Sequence, residues 1–260
     1  MALIRDDYSE EVTSESKKEL IKFAKWLHEK HGDWPTVIGG WAVWAYYDKG
    51  FGSRDMDLVL PTDEWIENVM KNEYFVQNAV KPYKFANDLL GTKHYGKEIK
   101  INGKEKQEII FFDLLSGSSL REDSENLGVY VDWSWVFEYK QTVPIGDAYI
   151  HVPEPELLIP LKIIAALART RTLKQAQDPT YWRSKIWKDY YDVSNLASHI
   201  TINEAKLTTH ISNTKLTKNL REEFLAGYIS RNDVLEETKA NLPKIENILL
   251  PDKRTSRKTN

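Results

Sequence analysis

Asp55 and Asp57 stand one residue apart in the run Ser53-Arg54-Asp55-Met56-Asp57-Leu58-Val59-Leu60, and the pair Gly39-Gly40 precedes them. The run ends as an apolar strand pattern. On a strand, alternate residues point to the same side of the sheet, so the two carboxylates would aim at one point. Like charges held that close raise each other's pKa unless a cation sits between them. Mg²⁺ suits the position, because it takes oxygen ligands and usually binds one or two carboxylates together with substrate phosphates. Glycines at a strand-to-helix turn let backbone approach a ligand, and the helix that follows presents free N–H groups to phosphate. Asp113 is a third candidate, an acid at the end of the apolar stretch Ile109-Ile110-Phe111-Phe112. Burying it is costly unless it is paired or metal-bound. Beside Asp55 and Asp57 it could complete a two-metal site and accept the proton of an attacking hydroxyl. These residues predict a metal-dependent enzyme acting on a nucleoside triphosphate.

The elements that must position them are legible from pattern. Leu20, Phe23, Ala24 and Leu27 recur at helical spacing over residues 14–31, with Gly32 as the stop. Thr36-Val37-Ile38 reads as a short buried strand, broken by Gly39-Gly40, and Trp41 to Tyr47 as a helix packed on a sheet. Residues 55–60 form the next strand, and Thr62 N-caps a helix through Trp65, Val69 and Met70. From about residue 74 to 152 short β-rich runs dominate: Glu108 to Leu115, then stretches near 128–132, 140–144 and 148–152, with Asn102-Gly103 as a hairpin turn. After Pro153 the pattern is helical. Leu157–Leu173 is apolar and then basic, Asp178-Pro179 opens a second helix through Leu196, and Asn203, Asn213 and Asn232 lie near the starts of later helices ending by about Leu250.

Composition narrows the class. The 260 residues are 41% hydrophobic and 29% charged, and nine tryptophans and thirteen tyrosines supply core-filling aromatics. There is no cysteine, which excludes disulfides, thiolate metal sites and a cysteine nucleophile, and points to a cytoplasmic protein. No signal-peptide h-region and no membrane-spanning apolar window is visible. The net charge of -3 argues against a uniformly basic surface, although Lys162, Arg169, Arg171, Lys174, Arg183, Lys185 and Lys188 make one basic stretch. The histidines are scattered, and His28 with His31 lacks the acids a zinc site needs, so both read as solvent-facing. No Walker A lysine motif and no Gly-x-Ser-x-Gly elbow occurs, and Ser116-Gly117-Ser118-Ser119 reads as a loop.

The pattern Gly39-Gly40-Trp41-Ala42-Val43 followed by Ser53-Arg54-Asp55-Met56-Asp57-Leu58 resembles the signature of nucleotidyltransferases of the DNA polymerase beta superfamily. The similarity is to the branch holding aminoglycoside and lincosamide nucleotidyltransferases and the AbiE-type toxin enzymes. Pro153 to Lys162, with Ala165 and Arg169, resembles the helix that delivers a lysine to the nucleotide. Lys188-Asp189-Tyr190-Tyr191-Asp192-Val193 resembles the Lys-Asp-x-x-Asp segment on the next helix. The resemblance implies that Gly39, Gly40, Ser53, Arg54, Lys162, Lys188 and Asp189 bind nucleotide. It implies that Asp55, Asp57 and Asp113 ligate two Mg²⁺, with Mn²⁺ as substitute, and that Lys162 joins the three acids in catalysis. Gly40-Trp41 stands where many members carry Gly-Ser, and Trp44 where aminoglycoside enzymes carry an acid, which weighs against the drug-modifying reading.

The expected fold is therefore α+β. A mixed β-sheet of nucleotidyltransferase type flanked by helices spans residues 1–152, a helical bundle spans 153–250, and 251–260 is a flexible tail. The expected partners are a nucleoside triphosphate such as ATP and an RNA or tRNA acceptor, with an antitoxin protein if the chain is toxin-like. The alternatives are a small-molecule acceptor of the aminoglycoside or lincosamide kind, and an inactive nucleotide- or partner-binding pseudoenzyme.

Overall fold

The computed structural model describes residues 8–49, 51–83, 93–101, 107–118, 120–122, 127–173, 179–230, 238 and 240–251. The Asn102-Gly103 turn, Asp178, Asn232 and the basic tail lie outside them. The chain divides into two compact units. One comprises Ala2–Arg121 and Asp132–Glu154, the other chiefly Glu122–Val131 and Pro155–Asn260.

The first unit is built on a seven-stranded mixed sheet. Its strands in chain order are β1 (Thr36–Ile38), β2 (Asp55–Leu60), β3 (Lys81–Pro82), β4 (Lys93–Ile99), β5 (Glu108–Ser116), and, beyond the short β6 (Leu120–Glu122) and β7 (Tyr130–Asp132), β8 (Lys140–Ile145) and β9 (Ala148–Pro153). Across the sheet the order is β3-β4-β5-β2-β1-β9-β8. β2 runs parallel to β5 and antiparallel to β1.

Helix α1 (Glu10–His31) covers one face. Ser9 caps its start by accepting from the Val12 N–H, and Gly32 ends it in the left-handed conformation at φ 74°. Its buried Leu20, Phe23, Ala24 and Leu27 follow the helical period. Phe23 meets Tyr74 and Phe112 edge-on, at 5.0 and 6.1 Å between ring centroids, while Phe75 packs against Phe112 and Tyr95. Inside this layer Glu19 accepts from the Tyr74 hydroxyl at 2.9 Å and from Lys97 Nζ at 2.5 Å. Burial and the Glu19 charge push the Tyr74 phenol well above its ordinary range.

Thr62 does cap a helix, accepting from the Trp65 N–H. That helix, α3 (Asp63–Trp65), runs on as a π-helix over Ile66–Phe75, which the sequence did not signal. The i→i+5 bonding widens the turn so that residues four apart fall in line, and Ile66, Met70 and Tyr74 form its buried stripe. A short helix, α4 (Trp135–Glu138), precedes β8.

The second unit holds α5 (Pro155–Thr172), α6 (Pro179–His199), α7 (Glu204–Asn213), α8 (Lys218–Ser230) and α9 (Leu242–Leu249). Its core includes Ile159, Ile163, Ile186, Val193, Leu196, Phe224 and Tyr228. Asn203 caps α7, accepting from the N–H groups of Ala205 and Lys206, and its own N–H donates to the buried Glu156 at 2.7 Å. Asn213, expected near a helix start, instead closes α7, where the Thr214 hydroxyl donates back to the His210 carbonyl. Among the described residues no helix is long and apolar enough to cross a membrane.

Candidate active site

The site face of the sheet is set by register. Ile38 lies opposite Asp57, Asp57 opposite Asp113, and Asp113 opposite His94, so one transverse row crosses β1, β2, β5 and β4. Asp55 sits two residues before Asp57 and shares its face, opposite Phe111. The alternate residues Met56, Leu58, Ile110, Phe112 and Leu114 point the other way and are fully buried. The apolar half of the alternation therefore fixes the acidic half on the opposite side, since a slip of one residue would turn the carboxylates into the apolar layer. The three aspartates predicted from sequence thus share one face, with Asp55 buried and Asp57 and Asp113 half-buried.

Gly39 joins this row to helix α2 (Gly39–Tyr46). Its φ is +68°, a conformation that disfavours side chains. A Cβ there would collide with Oδ2 of Asp57 and lie only 2.7 Å from its Cγ. Glycine is thus required twice over: by the backbone turn and by the close approach of the carboxylate. No side chain caps the N-terminus of α2, where the extended Ile38 holds the cap position. The first N–H groups of that helix carry its positive dipole end beside Asp57. Trp41 anchors α2, donating its indole N–H to Ser16 Oγ of α1 at 3.1 Å. Trp44 packs edge-on against Trp41 and beneath Lys17, so the position departing from the aminoglycoside enzymes serves packing.

Arg54 and Ser53 frame the entry to β2. Ser53 is buried, and Arg54 donates from Nε to the Ile109 carbonyl at 2.6 Å, with its guanidinium 5.2 Å from the Phe111 ring centroid. Arg54 thereby fastens β2 to β5 at the end where Asp55 begins the strand. Asp113 is bonded to His94, with Nδ1 and Oδ1 2.6 Å apart. The sequence reading did not single out His94, because its contact with Asp113 depends on the β4–β5 register.

Among the described residues no group of three or more acidic, histidine or cysteine side chains is gathered closely enough to hold a metal ion. The donors on this face are nonetheless hard carboxylate oxygens, two of them from alternate positions of one strand. That set fits Mg²⁺ bound by one or two carboxylates with the remaining positions filled by phosphate and water.

In the helical unit, the remaining predicted residues form a buried ion network. Lys162 Nζ lies 2.6 Å from Asp192 and 3.3 Å from Asp189, Arg169 pairs with Asp189, and Lys188 lies 3.0 Å from Asp192. Lys188 is therefore tied to Asp192, one helical turn on. Burial opposes charge on Asp189, yet Arg169 and Lys162 outweigh it and hold the carboxyl below its usual value. Burial likewise opposes the Lys162 ammonium, but Asp192 and Asp189 keep its pKa above the ordinary one; at Lys188 burial prevails and the pKa falls. Arg171 pairs with Glu223. Much of the basic stretch 162–188 is thus engaged within the unit and is not an open cationic face. Asp192 and Arg169 were quoted in the sequence pattern but given no role; the i,i+4 spacing of Lys188 and Asp192 was the available signal.

No family model and no curated protein matches the chain. Among solved structures it is similar to an antigenic nucleotidyltransferase-like protein from Paracoccidioides brasiliensis, at 13% identity and TM-score 0.46, over 84% of this chain and 93% of that one. It is also similar to JHP933 from Helicobacter pylori, at 14% identity and TM-score 0.49, over 96% of this chain and 95% of that one.

Proposed function

We propose that the protein is a Mg²⁺-dependent nucleotidyltransferase, moving a nucleoside monophosphate from a triphosphate such as ATP to a hydroxyl acceptor. The observation that carries the reading is the packing of Gly39, at the N-terminus of α2, against Asp57 in the same row as Asp113. An anion-attracting helix end meets a cation-attracting carboxylate there, with Asp55 and Asp113 on the same sheet face, a combination that suits a metal-bound triphosphate.

In this reading Gly39 and Gly40 receive the triphosphate on backbone N–H groups, with Ser53 and Arg54 framing the nucleotide. Asp55 and Asp57 hold Mg²⁺ or Mn²⁺, and Asp113 completes the acidic set. When bound, the ions neutralise phosphate oxygens and favour attack at phosphorus. Asp113 accepts the proton of the acceptor hydroxyl as its oxygen bonds to the α-phosphorus, and the bond from that phosphorus to pyrophosphate breaks. The resemblance assigns Lys162, Lys188 and Asp189 to the nucleotide as well. Within the helical unit Lys162 and Lys188 pair with Asp192, and Lys162 and Arg169 with Asp189.

The acceptor is an RNA in the toxin-like reading, with an antitoxin as partner, or a small molecule; Trp44, where aminoglycoside enzymes carry an acid, weighs against the small-molecule reading. The test is incubation with each α-labelled ribonucleoside triphosphate and either total RNA or a panel of aminoglycosides and lincosamides. Label on RNA supports the proposal, label only on the drugs makes the enzyme a small-molecule transferase, and nucleotide binding without pyrophosphate release makes it a pseudoenzyme.

A further inference from the structure

We propose that His94 is a positioning residue for Asp113, fixing the plane of the carboxylate that takes the acceptor's proton. The inference rests on the nucleotidyl-transfer reading and adds a residue to it. His94 and Asp113 are direct cross-strand partners on β4 and β5, on the same face as Asp57. Facing side chains at such a pair begin roughly 5 Å apart, a span an imidazole closes without strain. The resulting bond is 2.6 Å, and the two side chains are only 12% and 17% exposed, so water competes weakly for it. An ionised carboxylate is an acceptor only, so this bond requires the proton on Nδ1 of His94.

The backbone of His94 is held from both sides. β4 pairs with β5 along its length, and the His94 carbonyl accepts from the Tyr83 N–H at 2.8 Å on the β3 side. With the strand held, the low exposure of the ring and its bond to Asp113 keep the imidazole in one place. The terminal torsion of an aspartate is broad and soft, so its oxygens need a partner to keep one direction. His94 occupies Oδ1 and thereby sets the direction of Oδ2. It acts through Asp113, and the effect belongs to the chemical step, where misplacement by about 1 Å can cost on the order of 10²-fold.

The experiment compares His94→Ala and His94→Asn with the wild-type chain in steady-state transfer from each ribonucleoside triphosphate. The Asn amide can donate from nearly the same place as Nδ1. His94→Ala should lower kcat by roughly 10–100-fold with KM for the triphosphate changed less than about twofold, and His94→Asn should recover most of the loss. Independently of turnover, ¹⁵N NMR of the imidazole should show the Nδ1-protonated form in wild type and its loss in Asp113→Ala. Wild-type kcat in His94→Ala overturns the proposal, as does a loss confined to KM, an Asn variant no better than Ala, or an Nε2-protonated wild type. A wild-type chain that transfers nothing from any triphosphate overturns the underlying reading and this one with it. An active wild type with an equally active His94→Ala overturns this one alone.

Discussion

Replacing Gly39 with Ala is expected to damage the site more than the fold, and Gly32 supplies the internal control. Both glycines adopt left-handed backbone, at φ +68° and +74°. Ala in that region costs about 1–2 kcal/mol wherever it occurs. At Gly32 a new Cβ meets nothing within 4 Å, so Gly32→Ala should show the backbone cost alone. At Gly39 the same methyl lies 2.7 Å from Asp57 Cγ and 3.1 Å from its Cβ, and overlaps Oδ2. Carbon contacts under 3.0 Å are essentially never tolerated, so the carboxylate must swing away. An off-rotamer aspartate adds about 0.5–1.5 kcal/mol. At roughly 2–4 °C per kcal/mol, Gly32→Ala should lower Tm by about 2–8 °C and Gly39→Ala by a few degrees more. Function should separate the two far more widely. A shift of about 1 Å in a ligand of the reacting centre can cost on the order of 10²-fold. The assay is calorimetry for Tm, Mn²⁺ binding by electron paramagnetic resonance, and pyrophosphate release. Gly39→Ala should lose metal affinity and turnover while Gly32→Ala keeps both. Equal activity in the two variants would refute the claim that Gly39 and Asp57 form one functional unit.

Asp192→Asn should destabilise the helical unit by about 3–5 kcal/mol in urea unfolding, because Lys162 and Lys188 would both lose a buried partner. An unchanged urea midpoint would show the network to be energetically idle. The depressed pKa of Asp189 makes stability pH-dependent in a defined direction. The unfolded chain takes up the proton near the usual carboxylate value of about 4, so the contribution is complete above that pH. It is lost as pH falls through the lower folded value, and an Asp189→Asn variant should flatten that acid limb in a melt series. Asn203→Ala removes the α7 cap and should cost about 1 kcal/mol, read as a small Tm decrease without any change in nucleotide binding.

How far the molecule was legible in sequence follows the range of its interactions. The strand at Asp55 and the turn at Gly39 are specified by neighbouring residues: alternation places both aspartates on one face, and glycine answers a local positive φ. The helix boundary at Gly32 and the cap at Asn203 were readable for the same reason. Asn213 misled because asparagine suits either end of a helix, and the tertiary setting placed it at the close of α7. The row Asp57, Asp113, His94 could only be half seen. Asp113 stood out as an acid after an apolar run, but the His94 bond needs the β4–β5 register, and Lys93–Ile99 carries no strand pattern clear enough to be read in sequence. The buried ion network divides in the same way. Lys188 and Asp192 are one helical turn apart and were open to detection, whereas the pairing of Lys162 with both aspartates depends on how α5 and α6 are rotated against each other. The basic stretch 162–188 stood out in sequence because a sequence counts charges without showing which are already paired.

The most direct test is Mg²⁺-dependent pyrophosphate release measured side by side in the wild-type chain and in Asp55→Asn and Asp57→Asn, with far- and near-UV circular dichroism on each. The account predicts release by wild type, its loss by at least about 10²-fold in both variants, and superimposable spectra. Variants that fold like wild type and still release pyrophosphate at its rate would contradict it.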